Sequence, residues 1–179
     1  MRILRRALPI VLVALVVGVI VLVLTSRPDL DDAEKDVETR WTPVGEQLDA
    51  RYALLATANE GVRANPGPVG ELSTEAATAL EDWRDDRDSG SVAAQIAAAN
   101  EVEAAARRLR AAVNESPRLA DNADVAAAFD AFAAAGPGES MAPFSTAVED
   151  YEEARNGLLR GLVAGVFGYD AIPGLDYEP

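Results

Sequence analysis

The spacing of apolar residues between positions 37 and 62 restricts this chain to folds built from long helices. Four of them recur at intervals of seven residues: Trp41, Leu48, Leu55 and Val62. Three more fill the companion positions of the same pattern: Val37, Val44 and Ala58. A seven-residue repeat keeps its members on one face of an α-helix, where they pack against other helices. The pattern therefore predicts a bundle seam about five turns long.

Two residues interrupt the seam. Arg51 lies in the same register, where an apolar residue is expected, so its side chain either extends to solvent or meets a carboxylate from a neighbouring helix. Pro43 predicts either a kink or a break near the start of the seam. The sequence NPGPVG at 65–70 ends this helix.

Capping residues and apolar spacing predict two further helices. Ser73 is a good N-cap for a helix that ends at Gly90, and Ser91 caps the next one. The third helix has a regular helical spacing of apolar side chains: Val92, Ile96, Ala99, Val102, Ala106, Leu109 and Val113. The pair Ser116 and Pro117 closes it.

The last part of the bundle is predicted to be a helix in two pieces. Asn122 caps a short amphipathic helix with three core residues: Val125, Phe129 and Phe132. The sequence GPGES at 136–140 and Pro143 then interrupt the chain, and a final helix begins near Phe144. No stretch alternates as a strand does. The predicted fold is all-α: an antiparallel bundle of about four helices whose last helix is broken near 136–143.

The N-terminal residues predict a transmembrane helix ahead of the bundle. Residues 7–24 are 18 uncharged residues, about 27 Å as a helix, which is enough to cross the hydrocarbon core of a bilayer. A cleaved signal peptide is the alternative. However, the run exceeds the usual apolar region of about 7–15 residues, and the sequence VLTS at 23–26 lacks small residues at both cleavage positions. We therefore predict that residues 7–25 remain as an anchor in the cell membrane.

The charges beside this anchor predict its orientation. Three arginines precede it, at positions 2, 5 and 6, whereas Arg27 is soon followed by several acids. Basic residues favour the cytoplasmic side, so the N-terminus is expected in the cytoplasm and the remaining chain outside. The predicted segments are a basic N-terminus (1–6), the anchor (7–25), a helical bundle (29–168) and a C-terminal tail (169–179).

Composition excludes several kinds of chemistry and partner. The chain has no Cys and no His, which excludes thiolate nucleophiles, disulfides, imidazole catalysis and the usual zinc sites. After residue 25 it has 13 basic against 30 acidic residues, a formal charge of −17, which repels nucleic acid and anionic headgroups. We expect no cofactor, metal, nucleic acid or small-molecule substrate. The charge favours a solvated surface, although it can also attract a basic partner.

Residues along the whole chain after the anchor match the pattern of a known family. They are Trp41, Val44, Gln47, Leu48, Arg51, Leu54 and Leu55, then Asn100, Glu101, Pro117, Leu119, Asn122, Ala147, Val148, Asp150 and Tyr151, and finally LVAGVFGY at 162–169 with Pro173, Tyr177 and Glu178. From Asp29 to the C-terminus the chain resembles the LemA family. The ending AGVFGY at 164–169 is the most specific element.

The chain also departs from the family pattern, so it is identified as a divergent member. Alanines at 50, 53 and 56 stand where the family has paired arginine followed by Asp-Leu-Ile-Pro, and leucines at 158 and 159 stand where it has Phe-Pro. The resemblance implies a membrane-anchored, all-helical protein of a bacterial envelope. The family has no established enzymatic activity, so the resemblance supplies no catalytic residues to transfer to this chain.

Acidic clusters leave one catalytic alternative open. Carboxylates are dense at 29–38, 81–88 and 149–153, and two of them can in principle act as acid and base or bind Ca²⁺. A calcium loop beginning at Asp86 fails, because Ala97 stands where the bidentate Glu belongs. We expect a non-enzymatic scaffold or interaction module, with a carboxylate-based envelope hydrolase as the alternative.

The glycine-rich end of the chain carries the predicted interaction residues. Three glycines repeat every four residues and would line one groove of a helix: Gly157, Gly161 and Gly165. Such a groove lets another helix approach closely. The apolar stretch 161–169 is far shorter than the ~20 residues needed to span a bilayer. It is expected either to pack under the bundle or to lie in the membrane interface, with Phe167 and Tyr169 at headgroup depth. An unidentified membrane or envelope protein is the expected partner.

Overall fold

The computed structural model describes residues 2–65, 69–156, 165 and 168–177, with side chains from residue 28 onward. These residues are helical or irregular and include no strand, which confirms an all-α protein. The chain divides into two compact units, residues 1–39 with 145–171 and residues 40–144 with 172–179.

The elements of the described chain follow the predicted order with changed boundaries. They are α1 (Arg2–Ala64), α2 (Gly70–Ser89), α3 (Val92–Glu115), α4 (Pro117–Ala120), α5 (Ala123–Ala134), a 3₁₀ turn (Gly138–Ser140) and α6 (Met141–Arg155). Of the two outcomes predicted for Pro43, a kink or a break, the break is wrong, because α1 continues through it. Pro43 itself is exposed, while Trp41 and Val44 beside it are buried and hold the helix against the core.

Contacts in the larger unit fix the direction of α2 and α3 relative to α1. Trp41 donates its indole N–H to Gln95 at 2.6 Å, and the Tyr52 hydroxyl donates to the Ala99 carbonyl at 3.2 Å. The residue numbers rise together, so α3 runs parallel to α1. Two residues, Gly90 and Ser91, connect α2 to α3, and the two helices pack together. A connection this short makes α2 antiparallel to α3.

The chain then returns along α1 in two pieces. Arg51 donates to the Phe132 carbonyl at 2.6 Å near the end of α5. The ring of Trp41, ten residues earlier on α1, lies 5.1 Å from the ring of Phe144 on α6. Residue numbers fall along α1 as they rise from α5 to α6, so these two helices run antiparallel to α1. The 3₁₀ turn separates them near the predicted position.

The predicted seam is buried along its length. All of its heptad and companion positions are buried: Val37, Trp41, Val44, Leu48, Leu55, Ala58 and Val62. On α3 the predicted stripe is also buried from Ile96 to Val113, whereas Val92 is half-buried. Gln95, Ala98 and Glu103 widen the stripe beyond the prediction, because α3 packs against α1 and α2 at once.

Two of the three predicted N-caps are confirmed. Ser91 accepts a hydrogen bond from the Ala94 amide at 3.3 Å, and Asn122 accepts from the Val125 amide at 3.3 Å. The cap assigned to Ser73 is wrong, because α2 begins three residues earlier. Ser73 is buried inside α2, where its hydroxyl donates to Asn59 at 2.6 Å.

The start of α6 also differs from the prediction. The helix begins at Met141 instead of near Phe144, which puts Pro143 in its first turn. A proline there removes no intrahelical hydrogen bond, because the first amides of a helix have no partner inside it.

No helix in the described part of the chain is both long enough and apolar enough to cross a membrane. The side chains of the predicted anchor, residues 7–25, lie outside that part apart from the position of Gly18.

Candidate functional site

A buried ion pair lies at the middle of the bundle core. Arg51 donates from Nε and Nη2 to the two carboxylate oxygens of Glu103, at 2.8 and 3.0 Å. Both side chains are buried. Of the two outcomes predicted for Arg51, the meeting with a carboxylate of a neighbouring helix is confirmed. The partner on α3 was not anticipated.

The remaining nitrogen of the arginine connects the pair to the end of α5. Its Nη1 donates to the carbonyl of Phe132, in the last turn of α5, and to that of Ala135, the residue that follows the helix. The Phe132 ring lies 3.8 Å from the guanidinium carbon, in the range of a cation–π contact. Arg51 thereby joins α1, α3 and α5 through one side chain.

Tyr52, next to this pair, is also buried in the core. Its ring packs edge-on to Trp83 at 5.1 Å, and its hydroxyl donates to the Ala99 carbonyl. Burial raises the pKa of Tyr52 well above its ordinary value, and the nearby charge of Glu103 raises it further. Tyr52 is therefore a neutral hydrogen-bond donor at physiological pH.

The C-terminal segment, residues 172–177, is held on the surface of this same unit. The side-chain amide of Asn100 donates to the Gly174 carbonyl at 2.9 Å and accepts from the Asp176 amide at 2.7 Å. Arg107 donates to the Asp176 carboxylate at 2.9 Å. Residues of α3 thus bind both the backbone and a side chain of the segment.

The aromatic end of the segment meets the buried arginine. The ring of Tyr177 lies 5.0 Å from the guanidinium carbon of Arg51. A methyl group on Gly136 would overlap the Tyr177 hydroxyl, so the Tyr177 ring could not keep this position beside a larger residue. A pocket of about 130 Å³ opens nearby, and Arg107, Arg110 and Glu103 are among the residues that line it.

Two open grooves on α2 and α3 are lined by several acids. The larger encloses about 640 Å³ over a floor that includes Ala79, Ala104 and Ala105. The smaller encloses about 300 Å³ and is lined by four acids and two alanines: Asp82, Asp85, Asp86, Glu101, Ala97 and Ala98. Arg108 is the one base lining either groove, and it pairs with Glu75. Within the described residues no cluster of acids has the arrangement of a metal site.

The smaller unit contains a cluster of acids and tyrosines. Tyr169 is buried and donates its hydroxyl to Asp31 on α1, while Arg155 donates to the Tyr169 carbonyl at 3.2 Å. Tyr151 donates to the Asp170 carbonyl at 2.9 Å. These bonds hold residues 169 and 170 against α1 and α6.

The pKa values of two groups in this cluster are raised. Glu34 is half-buried, and its pKa is raised first by that burial and then by the charges of Glu38, Asp31 and Asp170. Burial, followed by the charge of Glu34, raises the pKa of Tyr151 to about 12. Glu34 therefore holds its proton more tightly than an ordinary glutamate.

The predicted interaction residues are only partly described. Gly157, Gly161 and Phe167 lie outside the described residues. Gly165 is helical and exposed, and no described residue comes within 4 Å of the position of a β-carbon there. Tyr169 packs against protein groups. The glycine groove stays a prediction.

Sequence reasoning missed the residues that hold the C-terminal segment. Asn100 and Arg107 lie outside the apolar stripe predicted on α3, and their partner is irregular chain about 70 residues later. The available signals were the late aromatic Tyr177 and the glycine at position 136.

Comparison with models of protein families, with curated proteins and with solved structures finds no match to this chain.

Proposed function

We propose that this chain is a divergent LemA-like protein of a bacterial envelope. Residues 7–25 span the cell membrane, with the N-terminus in the cytoplasm, and an antiparallel bundle of about four helices lies outside. The bundle is a non-enzymatic scaffold that binds another membrane or envelope protein. Support for the anchor comes from the uncharged run at 7–24 and from the arginines that precede it.

The observation that supports the non-enzymatic role is that the buried acid is fully paired with an arginine. A hydrolase built from carboxylates alone needs two acids about 5–10 Å apart in an accessible cleft, one of them able to exchange a proton. Glu103, the one buried acid of the described chain, instead gives both oxygens to Arg51. A carboxylate bound in this way fixes which helix faces meet and is not positioned to act on a substrate.

The acids of the larger unit that face water give it a strong negative field. The grooves on α2 and α3 concentrate that field over a floor of small side chains. Such a surface speeds encounter with a basic protein and repels anionic ones. The expected partner therefore presents a basic surface to the bundle.

Site-directed photo-crosslinking in intact cells tests the scaffold role. A photoreactive residue replaces Glu101 in the grooves, and a matched one replaces Glu115, an exposed acid at the end of α3. We expect a discrete crosslink to one envelope protein from position 101 and none from position 115. Changing Asp82 and Asp85 to Asn should remove the crosslink. Equal, diffuse crosslinking from both positions would contradict the proposal.

A carboxylate-based envelope hydrolase is the second candidate, and Glu34 is the observation that favours it. Its raised pKa and its acidic neighbours resemble the paired environments of general acids. If the protein is a hydrolase, Glu34→Gln should fail to restore the function of a deletion strain, whereas Glu115→Gln should restore it. Equal restoration by both variants would exclude Glu34 as the acid.

A further inference from the structure

We infer that the surface holding the C-terminal segment is a peptide-binding site, and that the segment of a second copy of this chain can occupy it. The site, named here the tail slot, consists of Asn100, Arg107, Gly136 and the guanidinium plane of Arg51. Its bound sequence is Gly-Leu-Asp-Tyr at 174–177.

The tail slot contacts an extended peptide in three ways. Asn100 bonds one carbonyl and one amide of the peptide backbone, a pairing that any extended chain offers. Arg107 donates to the side-chain carboxylate of Asp176. It also donates to the Asp176 backbone carbonyl at 3.4 Å. Arg51 and Gly136 together accept an aromatic ring. The preferred ligand is therefore an extended Gly-x-Asp-Tyr sequence.

One of the contacts that hold the segment is an ion pair that opens at low cost. The Arg107 and Asp176 side chains are 39% and 67% exposed, and ion pairs with this exposure contribute little to stability. Residues 172–177 belong to no helix, so their departure breaks no helical hydrogen bonds. The core beneath keeps its own partners, because Arg51 remains bonded to Glu103 and to two carbonyls.

A second copy supplies the matching ligand because it carries the same segment. A self-docked and an exchanged segment make the same contacts, so the balance between them depends on the local concentration of copies. Dilute chains favour their own segment, and crowded chains favour exchange. Exchange of the segment depends on no particular function of the bundle.

A complementation experiment with two full-length variants tests the exchange. The acceptor, Asp176→Arg with Tyr177→Ala, has an intact slot but a segment that no longer fits. The donor, Asn100→Ala with Arg107→Glu, has an intact segment but a disabled slot. Each variant alone should be monomeric in detergent by light scattering, and their mixture should show a doubled protein mass. Excess peptide with the sequence of residues 172–179 should reverse this association.

A third variant provides the control. Adding Asn100→Ala to the acceptor disables its slot, so mixing it with the donor should give no complex. An unchanged mass in the first mixture would overturn the inference, as would a complex that survives this added substitution.

A cysteine trap gives an independent readout without competing thiols, since the natural chain has no Cys. One copy carries Arg107→Cys and a differently tagged copy carries Asp176→Cys, so a mixed disulfide can form only between copies. The control replaces Arg107→Cys with Asn114→Cys, an exposed position on α3. We expect at least tenfold more mixed disulfide from the slot pair than from the control pair. Equal yields would show that the slot serves only its own chain.

Discussion

Arg51 and Glu103 form a two-point ion pair inside the bundle, with each side chain 3% exposed. The attraction within such a pair is largely offset by the cost of removing both charges from water. Removing one partner is strongly destabilising, because it leaves the other charge buried without compensation. The pair therefore matters most as a constraint on which faces of α1 and α3 meet.

Glu103→Ala should destabilise the larger unit by about 3–5 kcal/mol, since it leaves the Arg51 charge buried alone. Glu101→Ala on the same helix is the matched control, because its side chain is exposed, and it should change stability by no more than about 0.5 kcal/mol. Urea unfolding measures both. Equal effects would show that the pair does not carry this energy.

The seam residues make a second stability prediction. Leu55 is fully buried, so Leu55→Ala should cost about 2–5 kcal/mol through lost burial and a residual cavity. Leu54, its half-buried neighbour, is the matched control and should lose clearly less on the same change. A loss at Leu55 of only about 0.5 kcal/mol, typical of an exposed position, would contradict the seam.

The seam was predictable because burial follows a period that the sequence displays directly. Trp41, Leu48 and Leu55 need only the geometry of one helix to be assigned to its inner face. Capping residues fixed Gly90 and Asn122 as helix boundaries for the same local reason.

Contacts between distant residues were not predictable in the same way. Ser73 is a good cap by local rules, but the burial of Asn59 beside it makes its hydroxyl a core partner instead. Asn100 and Asp176 are separated by 76 residues, and no local period connects them. For Arg51 the sequence showed a charged residue at an apolar position and left two outcomes open, solvent or a carboxylate. Only the packed structure selects the carboxylate.

The two hydrogen bonds between Asn59 and Ser73 give a third prediction. The serine hydroxyl donates to the Asn59 amide oxygen, and the Asn59 amide donates back to the Ser73 carbonyl at 2.9 Å. Ser73→Ala leaves a buried acceptor unpaired and should cost about 1–3 kcal/mol in urea unfolding. Ser89→Ala, exposed near the end of α2, should cost about 0.5 kcal/mol or less. A Ser73 variant as stable as the Ser89 control would rule out this role.

Gly136→Ala should release the C-terminal segment without unfolding the bundle. The added methyl group overlaps Tyr177, whereas Gly70→Ala, the matched control, adds its methyl group in open space. If the overlap costs about 1.4 kcal/mol, limited proteolysis of residues 172–177 should become about tenfold faster in the first variant only. An unchanged cleavage rate at Gly136→Ala would contradict the docking of Tyr177.

Glu34 predicts a pH dependence of stability. Its pKa is raised in the folded chain, so folding favours the protonated form. The resulting stabilisation is present below the unfolded pKa, decreases as pH rises and is lost above the folded pKa. Glu34→Gln should therefore lose less stability than the natural chain between acidic and neutral pH. Glu115→Gln is the control and should follow the natural curve, and a Glu34→Gln curve that also follows it would contradict the raised pKa.

The most direct test of the proposed membrane-anchored bundle is the mass and protease accessibility of the native chain in whole cells whose outer wall has been made permeable. An uncleaved anchor requires a chain that begins near Met1, and an extracytoplasmic bundle requires digestion by added protease. We predict both results. A mature chain that begins near Ser26, or a bundle fully protected from the protease, would contradict the account.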